Sequence, residues 1–513
     1  MQGTLSVVDW AVVASFLLAV GLVGYSVSGK QKSTRDYFLG GRSLPWWAAS
    51  LSIVATETSA VTFLALPAAA FRGDWSVLQM VLGFVIGRVV LATFFVDVFY
   101  RRDYLTVYGF LGDRFGPVSR GAASLLFVGG RLLASGVRLY AGCLAVHVAT
   151  GLSLEATIVG LGLFGTCFTL LGGIRAVVWT DVLLGFGLVV GGVTALVFLI
   201  ASIPGGFPAI LGQEDLGEKL RLFHAGWDPG DPRTFLAGLL GGFVLTLATH
   251  GTDQDIAQRM LTCRDARGGR FSLLGSAVLI VPVFCLFLAV GTLLHYYHEL
   301  TVPTLEEAPY DPPDDPNHIL PLFIVNVLPG GVAGVAMAGL LAAALSSFTS
   351  ALNALASTAV GDFYRPLRDS GSERHYLLVS KAAMLVAGGA LILTALAFVD
   401  SRENLFQTAL KVFGYFYGAL LAPFLLGILT RRGNDWTILA GMLVSVPVVL
   451  VLQLREFVED PAGAPGVIQR WVEGISPKTH DAILGAVPDI AWPYWIVIGT
   501  ATCLAVGALG RRV

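Results

Sequence analysis

Residues 51–67 read LSIVATETSAVTFLALP, an apolar stretch interrupted at its middle by Thr56, Glu57, Thr58 and Ser59, with Ser52 before them and Thr62 after. The surrounding run, about 46–71, is long enough to cross a membrane as a helix. Helix is the natural state there because a chain in hydrocarbon must satisfy its own backbone groups. Unwound backbone is tolerated only where it is buried in protein or lines a cavity. A second run carries the same signature: between Thr246 and Arg259 lie His250, Gly251, Thr252, Asp253 and Gln254. Interrupted helices in corresponding positions of two halves point to the binding site of a transporter.

The rest of the chain fits that environment. Of its 513 residues, 55% are hydrophobic and 13% charged, where an ordinary soluble domain has roughly a quarter charged. The apolar residues come in runs of about twenty, which is the signature of a helical membrane bundle rather than of a large soluble core. A net charge of −2 without a basic patch gives no support to nucleic-acid binding. Cys143, Cys167, Cys263, Cys285 and Cys503 are scattered, so we read them as packing residues rather than metal ligands or disulfides. The first apolar run, about Val7–Val27, follows no basic segment or cleavage site and carries Asp9 near its start; it reads as a retained helix. With no linker in the sequence, residues 1–513 are expected to form a single transmembrane domain without an appended soluble module.

Spanning segments are expected at about 7–28, 46–71, 75–99, 119–147, 153–172, 177–203, 234–260, 272–297, 330–361, 376–399, 403–429, 435–454 and 492–511, an all-α protein of about thirteen transmembrane helices. Basic residues mark one set of connections: Lys30 to Arg42, Arg101 to Arg120, Arg259 to Arg270, Arg365 to Arg374 and Arg431–Arg432. Residues 298–317, on the other side, hold no Lys or Arg. Positive loops face the cytoplasm, so in a cell inner (plasma) membrane the amino terminus is expected outside and the carboxyl terminus, with Arg511 and Arg512, in the cytoplasm. Five helices, 46–203, and five more, 234–429, then each open with an interrupted helix.

The ninth segment reads AALSSFTS from Ala343 to Ser350, with Asn353, Ser357 and Thr358 following at helical spacing. Sodium is a hard cation that takes about five or six oxygens, and hydroxyls with freed carbonyls replace its water without holding it too tightly. A broken helix at Ala55 to Ser59 supplies the carbonyls and Ser346–Ser347 the hydroxyls. Close helix packing is the other use of small hydroxyl residues in membranes. Asp181, just inside an apolar helix, costs at least a few kcal/mol unpaired; we read it on a cation pathway, or else as a helix-start acid beside Arg175. Glu57, Arg88, Arg131, Arg138 and Lys411 are the other deep charges, and Glu57 is expected to pair with one of the arginines. His250 reads first as a satisfied residue at a helix break and second as a proton carrier. Most tryptophans lie at helix ends, as an interfacial belt does. Trp75 and Gln79, one turn apart, are placed instead to cover and hydrogen-bond a polar solute.

Together DYFLGGRSLPWWAASLSIVATETSAVTFLALP (36–67), GGIRAVVWTD (172–181), HGTDQDIAQRML (250–261), AALSSFTSALNALAS (343–357), GDFYRP (361–366) and KVFGYFYGALLAPFLLGILTRR (411–432) resemble the sodium:solute symporter family over nearly the whole chain. The resemblance implies the five-plus-five inverted repeat of the leucine-transporter type and sodium-coupled import of a small polar organic solute (sugar, polyol, sialic acid or organic acid) by alternating access. It implies one sodium at the carbonyls of Ala55, Thr58 and Ala343 and the hydroxyls of Ser346 and Ser347, and a second at Asp181, Ser346, Thr349 and Ser350. It also implies solute contacts from Glu57, Ser59, Thr62, Trp75, Gln79 and Arg131, with Arg138 as the alternative arginine. Leu184 departs from the family's usual glutamine, and Glu57 repels an anion unless an arginine offsets it, which favours a sugar, a polyol or a zwitterion. Proton coupling through Asp181 or Glu57 and a transporter-like sensor are the rival readings. An enzyme is not expected, since no nucleophile–base pair or metal cluster is evident in the spans.

Overall fold

The computed structural model of the chain describes residues 5–510 apart from 30, 103, 306–307, 311–312, 314–315, 369–370, 400–404, 460 and 462–465. Lys30, Arg511, Arg512 and the beginning of the 403–429 segment, used above, lie outside the described residues.

Helices occupy every apolar run. They are α1 (Val7–Ser28), α2 (Trp46–Glu57), α3 (Ala60–Arg72), α4 (Leu78–Phe94), α5 (Pro117–Thr150), α6 (Leu154–Leu170) and α7 (Gly172–Ser202). Then follow α8 (Phe235–Gly251), α9 (Gln254–Leu261), α10 (Ala266–Tyr296), α11 (Val332–Thr358), α12 (Glu373–Leu396), α13 (Leu405–Leu429), α14 (Asp435–Glu459) and α15 (Trp495–Gly507). Among the described residues, eight helices are long and apolar enough to cross a membrane, or ten if the bent pairs α2–α3 and α8–α9 each count as one span; α4, α6 and the 492–507 stretch are shorter apolar helices. Large apolar side chains stand exposed on helix surfaces, among them Phe186 at 66%, Val278 at 72% and Val386 at 73%. Water would penalise such surfaces and lipid does not.

Local chemistry explains the punctuation. Ser6 and Asp9 form a capping box at the start of α1, and the other carboxylate oxygen of Asp9 accepts the Gly331 and Gly334 N–H groups at 2.7 Å, tying α1 to the start of α11. The chain turns at Gly173, in the first turn of α7, φ 58°, where a Cβ would fall 2.8 Å from the Tyr37 carbonyl oxygen. Between Glu459 and Trp492 the sequence reading places no helix, yet two short ones form, Gly466–Glu473 and Pro477–Ala486.

The core gathers around α11, buried along nearly its whole length and packed on α1, α2, α5, α7 and α12. Close approach depends on missing side chains: a Cβ on Gly339 of α11 would sit 2.7 Å from the Gly187 carbonyl of α7, and one on Gly291 of α10 only 2.2 Å from that of Pro67 in α3. With lipid as apolar as the helix surfaces, such contact and the polar groups between helices provide the cohesion. The two breaks, each bent by 61°, therefore face one another inside the bundle rather than the lipid.

Candidate functional site

At the first break α2 ends with the Thr58 N–H donating to the Val54 carbonyl at 2.8 Å, but the Ser59 N–H turns to the carbonyl of Glu57 at 3.0 Å. The Ala55 carbonyl thereby loses the donor that a continuous helix would supply. Ser59 is extended, with φ −89° and ψ 179°. The Thr56 carbonyl accepts from two side chains on other helices, Arg138 of α5 at 3.3 Å and Ser347 of α11 at 3.4 Å. The Thr58 hydroxyl is buried without a partner.

The hydroxyl face of α11 lies against this break, as its spacing suggests. Ser350 Oγ is 3.3 Å from the Thr56 hydroxyl, and Ser346 donates to Asp181 of α7 at 2.6 Å. Thr349 donates back to the Ser346 carbonyl at 3.2 Å, within its own helix. Ala55, Ala343, Ser346, Ser347 and Ser350 are all buried in this small region between α2, α7 and α11.

Asp181 has a partner that the sequence reading did not assign. Arg259 of α9 reaches it at 2.9 Å, and Ser52 donates to the same carboxylate at 2.6 Å. Arg259, counted above with the cytoplasmic loop charges, is fully buried: it also pairs with Asp255 at 2.7 Å and donates to Ser350. Its position inside the 234–260 run was the signal, since a guanidinium one turn from a buried acid on its own helix does not need the interface. Arg175 takes no part in this cluster.

The second break carries the remaining acids. Asp253 caps α9 by accepting the Asp255 N–H at 2.8 Å, and its other oxygen accepts from the Tyr417 hydroxyl at 2.6 Å. Arg131 bridges Asp253 at 3.1 Å and Asp255 at 2.5 Å. Two turns along the same face of α5, Arg138 has no carboxylate partner among the described residues. It touches the Thr56 carbonyl and lies over the Phe413 ring, 5.5 Å from its centroid, with Nε unpartnered. Glu57 pairs with Arg88 of α4, which is fully buried and also held by Ser276 at 3.1 Å.

Between the breaks lies a pocket. Glu57, Ser59, Thr62, Arg131, Arg138 and His250 line it, with Phe84, Phe284 and Phe413 as apolar walls. Four of the six solute residues expected from the sequence therefore meet there. Trp75 and Gln79 do not: the Trp75 indole donates to Thr292 at 2.9 Å, and the Gln79 amide to the Arg233 carbonyl at 2.9 Å, so both are spent on joining α4 to its neighbours.

Four carboxylates (Glu57, Asp181, Asp253, Asp255) thus meet four guanidiniums (Arg88, Arg131, Arg138, Arg259) around the two breaks. Burying so many charges is tolerable only when they are paired and hydrogen-bonded.

The profile of the sodium:solute symporter family matches residues 37–445. The sodium/sialic acid symporter of Proteus mirabilis is 31% identical over 457 residues, covering 86% of this chain and 89% of that protein. Human sodium-coupled monocarboxylate transporter 1 is 30% identical, covering 87% of this chain and 73% of that one. The solved structure of a sodium-coupled sialic acid symporter, substrate-bound and outward-open, superposes with a TM-score of 0.83 at 27% identity, over 99% of this chain and all of the other.

Proposed function

This chain belongs to the sodium:solute symporter family, and from that premise we propose how its residues carry sodium-coupled import of an organic acid. It is an integral membrane transporter that couples a solute to sodium, not an enzyme.

One sodium sits at the first break, between the carbonyls of Ala55, Thr58 and Ala343 and the hydroxyls of Ser346 and Ser347. The observation that carries this is the Ala55 carbonyl, released from its helix by the turn at Ser59, in the same break where the Ser347 hydroxyl of α11 has only a long 3.4 Å contact, to the Thr56 carbonyl, to give up. A second sodium at Asp181, Ser346, Thr349 and Ser350 has to displace the Arg259 guanidinium from Asp181 and Ser350.

The solute occupies the pocket beside Ser59 and Thr62. Glu57 no longer argues against an anion, because Arg88 offsets it. With buried acids and guanidiniums equal in number, each sodium leaves an excess positive charge, which an anionic solute cancels; co-binding of the two is then favoured over either alone. Arg138 is the guanidinium placed to take the solute's carboxylate, since Arg131 is held by two aspartates. Acidic solutes in the names of both relatives agree with this.

The wider architecture follows the same reading. Among the described residues, eight long helices, two bent pairs and three short apolar ones support a reading of thirteen spans. The equal bends of α2–α3 and α8–α9 support inverted repeats at 46–203 and 234–429 working by alternating access, with the amino terminus outside and the carboxyl terminus cytoplasmic. Uptake by proteoliposomes of labelled organic acids, sugars and polyols, with and without a sodium gradient, tests the reading. Acids accumulating only with sodium is the expected result; equal uptake without sodium, or under a proton gradient alone, overturns it.

A further inference from the structure

His250 lines the pocket at 2% exposure. Its ring protonation follows from its neighbours. Thr249 Oγ1 lies 2.9 Å from the Leu245 carbonyl and has one proton, which that carbonyl takes. The same oxygen, 3.0 Å from His250 Nδ1, can then only accept, so Nδ1 bears the hydrogen. Nε2 of the neutral ring is left as a lone pair, buried and without a hydrogen-bond partner.

That lone pair faces Glu57 Oε2 at 3.6 Å. Two acceptors converge with no hydrogen between them, and Arg88 holds the carboxylate through that same oxygen, Oε2. Charging the ring would set a second buried cation next to Arg88 around one carboxylate, an arrangement that low dielectric penalises. What the pair lacks is a donor. A nitrogen or oxygen about 2.8 Å from each acceptor forms a triangle on their 3.6 Å base, and Ser59 and Thr62 line the same pocket.

We infer that Glu57 and His250 form an acceptor pair for a hydroxyl or ammonium group of the solute, with Arg138 binding the carboxylate. The transported solute is then a hydroxy or amino acid, not a plain monocarboxylate; the inference rests on the sodium-coupled acid transport argued above. Arg88 acts as a positioning residue that aims Glu57.

The test is sodium-driven uptake by proteoliposomes of the full chain, using acids of three to nine carbons, each in unsubstituted, hydroxy and amino forms. At the best chain length the half-saturating concentration of a substituted acid should be at least tenfold below that of its unsubstituted counterpart. Glu57→Gln and His250→Phe should each reduce that ratio to about twofold or less while uptake still requires sodium. The hydroxy and amino series tell which donor is used. Equal uptake of unsubstituted acids by the wild-type protein, which depends on no variant, overturns the inference and leaves the symport reading standing, as does a ratio that survives both substitutions. Uptake driven by a pH gradient without sodium and lost in His250→Phe assigns the pair to a proton and overturns it too. If sodium drives no acid at any length, the symport reading falls and takes the inference with it.

Discussion

Ser347→Ala separates the sodium site from the fold around it. The hydroxyl's one native contact, 3.4 Å to the Thr56 carbonyl, lies beyond the usual 2.5–3.0 Å of an O–H···O bond, so losing it costs the protein little. Alanine keeps the small volume that α11 needs at this fully packed position. For sodium the loss is larger. It is one of about five oxygens, and a partner to a charged group is worth roughly 1.5–3 kcal/mol, so half-saturation by sodium should rise about 10- to 100-fold. Initial uptake rates at saturating solute, measured against sodium concentration in proteoliposomes, give this number. Ser357→Ala is the control: its hydroxyl donates to the Ala354 carbonyl at 2.9 Å, two to three turns from the break, and sodium dependence should be unchanged. A Ser347→Ala half-saturation within twofold of wild type would refute the placement of sodium between α2 and α11.

Three further outcomes are expected. Arg138→Met should raise the half-saturating concentration of an acidic solute at least tenfold while thermal stabilisation by sodium persists; unaltered solute affinity would return the carboxylate to Arg131. Asp181→Asn leaves the buried Arg259 with one acid fewer and should destabilise by about 3–5 kcal/mol, with the Asp181→Asn/Arg259→Met double variant recovering part of the loss in thermal unfolding. At the pocket-distant contact between Asp74 and His224, burial raises the Asp74 carboxyl but hydrogen bonds from Ser76 and His224 outweigh it and hold it below the usual carboxylate range. Such a group stabilises above its unfolded value and loses that contribution as pH falls through the folded one, so the difference in melting temperature between wild type and Asp74→Asn should persist at pH 5 and shrink only below about pH 4.

The apolar runs, the two broken helices and the hydroxyl face of α11 were legible from the residues alone. All three are local: a run of about twenty apolar residues has no other stable home, a polar cluster inside such a run must be buried in protein, and hydroxyls at helical spacing share a face. These were sufficient to bring Ala55, Ser346 and Ser347 into one neighbourhood, whereas Asp181 joined them only through the family resemblance. The pairing of charges was not legible in this way. Arg131 and Arg138 lie two turns apart on one face of α5 and are equivalent in any periodicity, yet one meets Asp253 and Asp255 and the other does not. Arg88 and Glu57 are thirty-one positions apart and Arg259 and Asp181 seventy-eight, so their meeting depends on how helices cross, which small residues such as Gly291 and Gly339 permit only in the assembled bundle. Trp75 and Gln79 had the right chemistry for a solute, but packing spent their donors on Thr292 and the Arg233 carbonyl. Local composition decides which groups must leave the lipid; only tertiary packing decides which partner each one finds, because a buried charge is stable against whichever opposite charge the helix crossings bring within reach.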